Sequence, residues 1–195
     1  MTDLPRPRAA DESGGGQAEP IRTARVSLVP MSVPFMRALR SLDFVAAERE
    51  IGALVPPDMA DDLAHFIEFR LAQLDVDPTI LEWLGRAMVL TDDMGIRRVI
   101  GTIGFHGPPD DAGRLEVGYR VDADFRRQGF AIEAVRALFD WAFERHGVTR
   151  FLASISPGNA ASRGLTSRLG FREIGSQMDE IDGLELIFEA DWPPR

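Results

Sequence analysis

The chain has 195 residues, of which 45% are hydrophobic and 27% charged, and its formal net charge is −9. This length and composition predict one globular domain whose core is large enough to fold without cross-links. The sequence contains no cysteine, which excludes disulfides, cysteine-ligated zinc and iron–sulfur sites, and a cysteinyl acyl-enzyme.

The charge and the hydropathy pattern also narrow the class of partner. An anionic surface repels the phosphates of nucleic acids and favours cationic partners such as amines, although the same charge is explained equally well by solubility alone. No apolar run approaches the about 20 residues that a membrane span needs, and the N-terminus lacks the apolar core of a signal peptide. We therefore expect a cytoplasmic protein that binds neither nucleic acid nor membrane, and we expect no metal site.

The N-terminal half of the chain predicts a tail, a strand and two helical stretches. Met1 to Pro20 is rich in Gly, Pro, Asp and Glu with almost nothing to bury, which is typical of a disordered tail. Arg22 to Val29 alternates and predicts a first strand. Helical spacing runs from about Val33 through Ile51 and resumes after a Pro-Pro break, where Asp58 is placed to cap the second helix.

The C-terminal half alternates between strands and helices. Three short strand-like runs separated by turn signals predict an antiparallel meander, because tight turns join only antiparallel neighbours; they are Arg86–Leu90, Val99–Phe105 and Leu115–Val121. The later elements are a helix from Gly129 to His146, strand Phe151–Ile155, helix Asn159–Leu169, and the strand pair Phe171–Met178 and Leu184–Ala190. This order predicts a mixed α/β (α+β) domain over residues 21–195.

The stretch Arg126-Arg127-Gln128-Gly129-Phe130-Ala131 carries the first chemical signal. Glycine lets the backbone turn sharply, and the free N–H groups of a helix's first turn bind anions. Two adjacent arginines add positive charge, so the stretch predicts a pyrophosphate site between a strand and a helix. An ordinary helix start with solvated arginines explains the same six residues.

The next strand-to-helix connection supports the first signal. Ser156-Pro157-Gly158 interrupts strand pairing after Phe151–Ile155, and Asn159 then begins a helix that ends at Leu169-Gly170-Phe171. A gap between two strands leaves backbone groups free to hydrogen-bond an extended ligand that carries amides. Taken alone, Asn159 is equally a plain helix cap.

These motifs together resemble a known family. Arg126-x-x-Gly129-x-Ala131 matches the Q/R-x-x-G-x-G/A signature of the GCN5-related N-acetyltransferases (GNATs), and Asn159-x-x-Ser162 follows at the family's spacing. The strand Leu115–Val121 and the helix start Gly129–Ala134 resemble the RimJ/RimL-like subgroup, which acetylates the N-termini of ribosomal proteins. The resemblance extends from about Arg22 to Trp192.

The resemblance implies the GNAT fold, with a central mixed, mostly antiparallel sheet of about seven strands that is flanked by helices and splayed between strands four and five. It also implies a transfer of acetyl from acetyl-CoA directly to a primary amine, either a protein N-terminus or a small molecule. The pyrophosphate would lie on the backbone after Arg126, and the pantetheine arm would run between the splayed strands. The implied cofactor-binding residues are Tyr119, Val121, Arg126, Arg127, Gln128, Gly129, Phe130, Ala131, Asn159, Ser162 and Arg163.

A direct transfer needs a base for the amine and an acid for the departing thiolate. Glu116 is the first candidate base, because it shares a strand face with Gly118 and opposes Tyr119, although a solvent-exposed strand residue fits equally well. His106 is a second candidate base, but a loop histidine explains it better. We expect His65 and His146 to lie on helix surfaces.

The acid departs from the family pattern. Many members carry tyrosine four residues before the glycine that corresponds to Gly170, where this chain has Thr166. Ser162 and the only tyrosine, Tyr119, are the remaining candidate acids, with solvent as the alternative. The missing tyrosine also leaves open a non-catalytic acyl-CoA sensor or interaction domain.

The C-terminal Phe188 and Trp192 fit either a homodimer contact or burial within the chain.

Overall fold

A computed structural model describes residues 19–179 and 183–194 of the chain. The disordered tail expected for Met1 to Pro20 therefore lies outside the described residues, apart from its last two positions.

The described part of the chain builds one eight-stranded sheet with the order β1-β2-β3-β4-β5-β6-β8-β7. Neighbouring strands are antiparallel except β5 and β6, which are parallel, so the prediction of a mixed, mostly antiparallel sheet is confirmed. The strands are β1 Ile21–Arg22, β2 Val26–Pro30, β3 Arg86–Thr91, β4 Arg97–Phe105, β5 Arg114–Val121, β6 Arg150–Ile155, β7 Arg172–Asp179 and β8 Gly183–Asp191.

The sheet has one strand more than expected because the predicted first strand is two. The chain reverses after Arg22, where the Thr23 amide donates to the Val26 carbonyl at 2.9 Å, and β1 folds back on β2 with Ile21 opposite Leu28.

Five α-helices lie in the described residues: α1 Val33–Arg40, α2 Phe44–Ile51, α3 Met59–Val76, α4 Phe130–His146 and α5 Ala160–Arg168. The single helix expected from Val33 through Ile51 is wrong. The chain breaks at Leu42, whose φ is 59°, and the Asp43 carboxylate caps α2 by accepting from the Ala46 amide at 3.0 Å. Asp58 occupies the N-cap position of α3, as predicted, but its side chain makes no capping hydrogen bond.

The sheet separates two hydrophobic cores. One lies under α4 and α5, where the Phe139 and Phe151 rings stack with centroids 3.8 Å apart. The other lies under α1 to α3 and includes Phe35 and Leu39, both fully buried. Burial of each such side chain contributes about 1.5–3 kcal/mol, so the two cores fix the sheet between helical layers.

The side chains of β5 alternate between these two layers. Leu115 and Val117 are buried in the core under α4, so Glu116, Gly118 and Arg120 point toward the α3 side.

The C-terminal aromatic residues are buried within the chain. Trp192 is 7% exposed, packs edge-on against Phe139 and donates its indole N–H to the Asp140 carboxylate at 2.9 Å. Phe188 is 8% exposed. Of the two expectations for this pair, burial within the chain is the one observed.

The splay predicted between residues 115–121 and 151–155 is present between β5 and β6. The two strands pair only over Arg114–Glu116 and Arg150–Leu152. Beyond that point β5 pairs only with β4, over 117–121 against 101–105. Since the Glu116 carbonyl accepts from the His106 amide on β4's side, strand alternation turns the N–H and C=O groups of Val117, Tyr119 and Val121 toward the gap.

Among the described helices, none has both the length and the apolar character that a bilayer crossing requires.

Candidate functional site

The turn that precedes α4 presents an unbroken row of free amides. Arg127 and Gly129 both take left-handed conformations, with φ 61° and 86°. Within the described residues, the backbone N–H groups from 127 to 132 have no hydrogen-bond acceptor, and positions 127–129 are exposed. Six free amides at a helix N-terminus form a concave donor surface suited to an anion.

A buttress of two side chains holds this turn in place. Arg25 donates through Nη1 to the Gln128 carbonyl at 2.9 Å and through Nε to the Glu133 carboxylate at 2.7 Å. Its guanidinium lies 4.4 Å from the centre of the Phe130 ring. Burial alone would raise the pKa of Glu133, but hydrogen bonds from Thr23 and Arg25 lower it, so the carboxylate stays ionised.

Sequence reasoning missed Arg25. The residue lies 103 positions before Gln128, and no local motif connects the two.

The predicted arginines and Gln128 have separate structural partners. Arg126 donates through Nε to the Val121 carbonyl at 2.7 Å, which ties the turn to the end of β5. Gln128 donates to the Asp124 carbonyl at 3.0 Å, and Arg163 donates to the Pro157 carbonyl at 3.3 Å. The Arg127 side chain is exposed and has no partner among the described residues. Arg127 is therefore the cation with no competing contact at the turn.

Asn159 caps α5, as its alternative interpretation predicted. Its side-chain oxygen accepts from the Ser162 amide at 3.0 Å. The side-chain nitrogen has no partner among the described residues, so the cap leaves Asn159 one free donor.

Tyr119 carries a buried hydroxyl without a hydrogen-bond partner in the described part of the chain. Burial raises the pKa of this phenol, and the nearby Ser162 hydroxyl lowers it in part. No contact between the two hydroxyls has hydrogen-bond geometry. A buried O–H without an acceptor costs about 1–3 kcal/mol, so Tyr119 offers an unused proton donor beside the β5–β6 gap.

Thr166 cannot take the role that tyrosine has at this position in many family members. It is 2% exposed, and its hydroxyl lies 3.2 Å from the Ser162 carbonyl and 3.0 Å from the Arg163 carbonyl. Those carbonyls belong to its own helix, so they occupy the Thr166 proton.

Glu116 lies on the face of β5 that the sequence predicted, opposite Val117 and Tyr119. Its carboxylate lies 3.6 Å from Nδ1 of His106, and its side chain is 27% exposed. The His106 interaction lowers the pKa of Glu116, burial raises it, and Ser154 lowers it further, so the pKa is lowered overall. His106 lies in the bend directly after β4, as its loop interpretation predicted, and its ring also faces Glu116 of β5.

The α3 side of the sheet is rich in carboxylates near the end of β5. Asp62 forms an ion pair with Arg120. Burial raises the pKa of Asp122, Arg120 lowers it, and the neighbouring Asp58 and Asp62 raise it further. These charges favour a cationic molecule on this side of β5.

The structure thus brings most of the predicted residues to the two sides of β5. One group lies on the side of α4 and α5: the turn, Tyr119, Ser162 and the free edge of β5. Glu116 lies on the α3 side, together with His106.

Comparison with known proteins gives three findings. The family model described as "Acetyltransferase (GNAT) domain" matches residues 36–172. The uncharacterized N-acetyltransferase YjdG of Bacillus subtilis is 36% identical over 73 residues, which is 37% of this chain and 44% of that protein. Mycobacterium smegmatis RimJ, solved in complex with CoA-disulfide, superposes with a TM-score of 0.61 at 16% identity, over 91% of this chain and 90% of that chain.

A further solved structure gives a similar result. The ribosomal-protein-S5-alanine acetyltransferase of Vibrio fischeri superposes with a TM-score of 0.56 at 16% identity, over 90% of this chain and 100% of that chain. At such identities these structures establish the fold. The matched region spans about half the length of the curated relatives, between 44% and 46% of each.

Proposed function

Because the chain belongs to the GNAT family of acetyltransferases, we propose that it transfers an acetyl group from acetyl-CoA to a primary amine. The observation that carries this proposal is the open turn before α4, where six consecutive backbone amides have no acceptor among the described residues, beside the gap between β5 and β6.

The residues present fit acetyl-CoA in two places. The free amides of 127–132 suit the pyrophosphate, with the unpaired Arg127 beside them. The free backbone groups of Tyr119 and the amide of Val121 suit the amides of an extended pantetheine arm, in the manner of an added strand. Acetyl-CoA supplies the acetyl group as a thioester, which needs no covalent intermediate on the protein.

The other proposed cofactor contacts follow from their positions around the turn and α5. Arg126, Gln128, Gly129, Phe130 and Ala131 shape the turn, while Asn159, Ser162 and Arg163 lie at the start of α5.

The chain's own residues then move the protons. On the acceptor side, the pair formed by Glu116 and His106 accepts the proton that the amine must lose. On the other side of β5, the Tyr119 hydroxyl donates a proton toward the gap, with Ser162 next to it. Acid and base on opposite faces of one strand keep the two protons apart.

The acceptor is a primary amine that arrives as a cation. The carboxylates of Asp58, Asp62 and Asp122 surround the α3 side of β5 and favour such a molecule. Structures of ribosomal-protein acetyltransferases share this fold, which supports a peptide N-terminus over a small-molecule amine. A cytoplasmic location, a homodimer and a single domain over residues 21–195 stay predictions from the sequence.

Two measurements test the proposal. Calorimetry with coenzyme A should give saturable binding, and thiol release should follow when acetyl-CoA is mixed with a peptide that has a free N-terminus. The panel should include an Nα-blocked lysine peptide, a polyamine, an aminoglycoside and a free amino acid. Failure to bind coenzyme A at high micromolar concentration would remove the proposal.

The sensor alternative is favoured by the hydroxyl of Thr166, which is occupied within its helix. It predicts coenzyme A binding without turnover on any amine of the panel. A measurable rate with one amine eliminates it.

A further inference from the structure

A histidine and a glutamate face each other at the point where β5 leaves β6. The His106 amide donates to the Glu116 carbonyl at 2.9 Å, and the His106 Nδ1 atom lies 3.6 Å from the Glu116 carboxylate. Glu116 is also the last β5 residue that pairs with β6, opposite Leu152. The pair therefore stands at the apex of the gap, on the side that faces α3.

The absence of a side chain at Gly118 leaves room for the His106 ring. A Cβ atom at this position would lie 2.9 Å from Nε2 of His106, closer than real Cβ contacts come. The ring thus extends over Gly118, two residues farther along β5 than Glu116. One ring nitrogen faces the carboxylate, and the other lies over the strand where it runs along the gap.

A buried arginine fixes the backbone of the same histidine. Arg70 of α3 donates through Nη1 to the His106 carbonyl at 2.8 Å and is 5% exposed. Its guanidinium lies 5.1 Å from the centre of the Phe66 ring and 5.3 Å from that of Phe69. No carboxylate pairs with it in the described part of the chain. Such a buried cation holds its acceptor firmly, so His106 is tethered at its carbonyl and its amide, and its ring lies beside Glu116.

We propose that Nε2 of His106 is the atom that takes the proton from the acceptor amine, and that Glu116 is a positioning residue that holds the Nδ1–H tautomer. This inference rests on the proposed acetyltransferase function and deepens it. In the step, one N–H bond of the ammonium breaks, its electron pair stays on the nitrogen, and the proton passes to Nε2. The freed pair is then available for attack on the acetyl carbon, and the imidazolium returns the proton to solvent.

The chemistry of the two side chains supports this division of roles. A carboxylate whose pKa is lowered, as that of Glu116 is by His106, is a poor proton acceptor at neutral pH. An imidazole that is oriented by a carboxylate at Nδ1 presents its other nitrogen as the base. The titratable groups placed against His106 in the described residues are Glu116 on β5 and Arg70 on α3.

The first test reads the imidazole directly, without substrate or cofactor. Nitrogen-15 NMR of the ligand-free protein reports tautomer and titration of each histidine, and His65→Gln and His146→Gln assign the three signals. We expect neutral His106 to carry its proton on Nδ1. Glu116→Gln should redistribute the tautomers, because the ring loses the carboxylate that faces Nδ1. A proton on Nε2, or no response to Glu116→Gln, would overturn the inference.

The second test compares the two variants by pH profile. His106→Gln should lower kcat about 100-fold and remove the acidic limb of the kcat/KM profile, while coenzyme A affinity stays the same. Glu116→Gln should keep that limb. Added imidazole should partly restore His106→Ala, and His65→Gln, on the exposed face of α3, should behave as the wild type.

The opposite pattern, in which Glu116→Gln loses the limb and His106→Gln keeps it, would make the carboxylate the base. If the wild type binds no coenzyme A or acetylates no amine, the proposed function fails. The NMR result still decides whether the pair exists as described, so the two failures are distinguishable.

Discussion

The turn before α4 and the His106–Glu116 pair are built in opposite ways, although both lie beside β5. The turn presents backbone amides from one continuous stretch, 127–132. The pair is made of side chains that β4 and β5 bring together, over a glycine of β5 and under an arginine of α3.

This difference predicts how each region fails. A site made of backbone amides tolerates the loss of most of its side chains, and it fails when the backbone is displaced or covered. A site made of side chains keeps its shape after a conservative substitution and loses its chemistry with a single atom.

The largest effect should come from covering the amides of the turn. Gly129→Trp places a large side chain at φ 86°, where the built Cβ already lies 3.3 Å from the Arg25 guanidinium. We expect a loss of coenzyme A affinity of about 100-fold or more, equivalent to about 3 kcal/mol, measured by calorimetry.

The matched control for this substitution lies at the other end of the same helix. Gly147 has φ 69° and open space around its Cβ, so Gly147→Trp has a similar backbone cost of about 1–2 kcal/mol. It should lower the melting temperature while coenzyme A still binds. If both variants lose binding equally, the defect is in folding and the turn is not the anion site.

The next largest effect should come from removing one side-chain oxygen, the hydroxyl of Tyr119. Tyr119→Phe deletes the buried hydroxyl that has no partner among the described residues. We expect kcat to fall about 100-fold, with coenzyme A affinity unchanged and the free energy of unfolding equal or higher by up to about 1 kcal/mol.

Thr166→Val should give the reverse result, a loss of stability with unchanged kcat. Its buried hydroxyl donates within α5, so its loss should cost about 1 kcal/mol of stability and leave kcat intact. A Tyr119→Phe enzyme with full kcat would assign the acid to solvent.

The same difference explains which parts of the site could be predicted from the sequence. The turn at Arg126–Ala131 and the helix start at Asn159 were predictable because a contiguous motif builds each of them. The face of Glu116 followed from strand alternation. The Arg25 contact with Gln128 joins residues 103 positions apart, and local patterns cannot show it.

His106 is the instructive intermediate case. The predicted third strand ended beside it and the predicted fourth began next to Glu116, so closing that hairpin would have placed the two opposite each other. Its interpretation as a loop residue came from the Gly-Pro that follows. The break at Leu42 could not be predicted, because leucine in a left-handed conformation goes against its own preference and only the packing of α1 and α2 selects it.

A smaller loss should follow removal of the buttress under the turn. Arg25→Ala deletes the hydrogen bonds to Gln128 and Glu133 and the contact with Phe130. We expect coenzyme A affinity to fall about tenfold, which is about 1.4 kcal/mol, with an intermediate loss in Arg25→Lys. Unchanged calorimetry for Arg25→Ala would mean that the turn holds its shape unaided.

The carboxylate of the buttress, Glu133, contributes to folding stability in a way that depends on pH. The pKa of Glu133 is lowered in the folded protein, so its contribution to stability is complete above the unfolded pKa of about 4.3 and is lost as the pH falls through the lowered folded pKa. Urea unfolding of the wild type and Glu133→Gln should therefore differ at pH 7 and converge toward pH 3. A difference that stays constant with pH would assign the effect to packing alone.

The smallest effect should come from Arg127, where backbone and side chain can be separated at one residue. Arg127→Ala removes the free cation and keeps a side chain at φ 61°, whereas Arg127→Gly removes the cation and also relieves the left-handed strain. Both should bind coenzyme A a few-fold more weakly at low salt, and the deficit should shrink at high salt because an exposed charge is screened. Arg127→Gly should be more stable than Arg127→Ala by about 1–2 kcal/mol, measured by urea unfolding. If the glycine variant binds about tenfold more weakly than the alanine variant, the turn depends on residue 127 for its shape, and the backbone half of the site is less independent of side chains than the free amides imply.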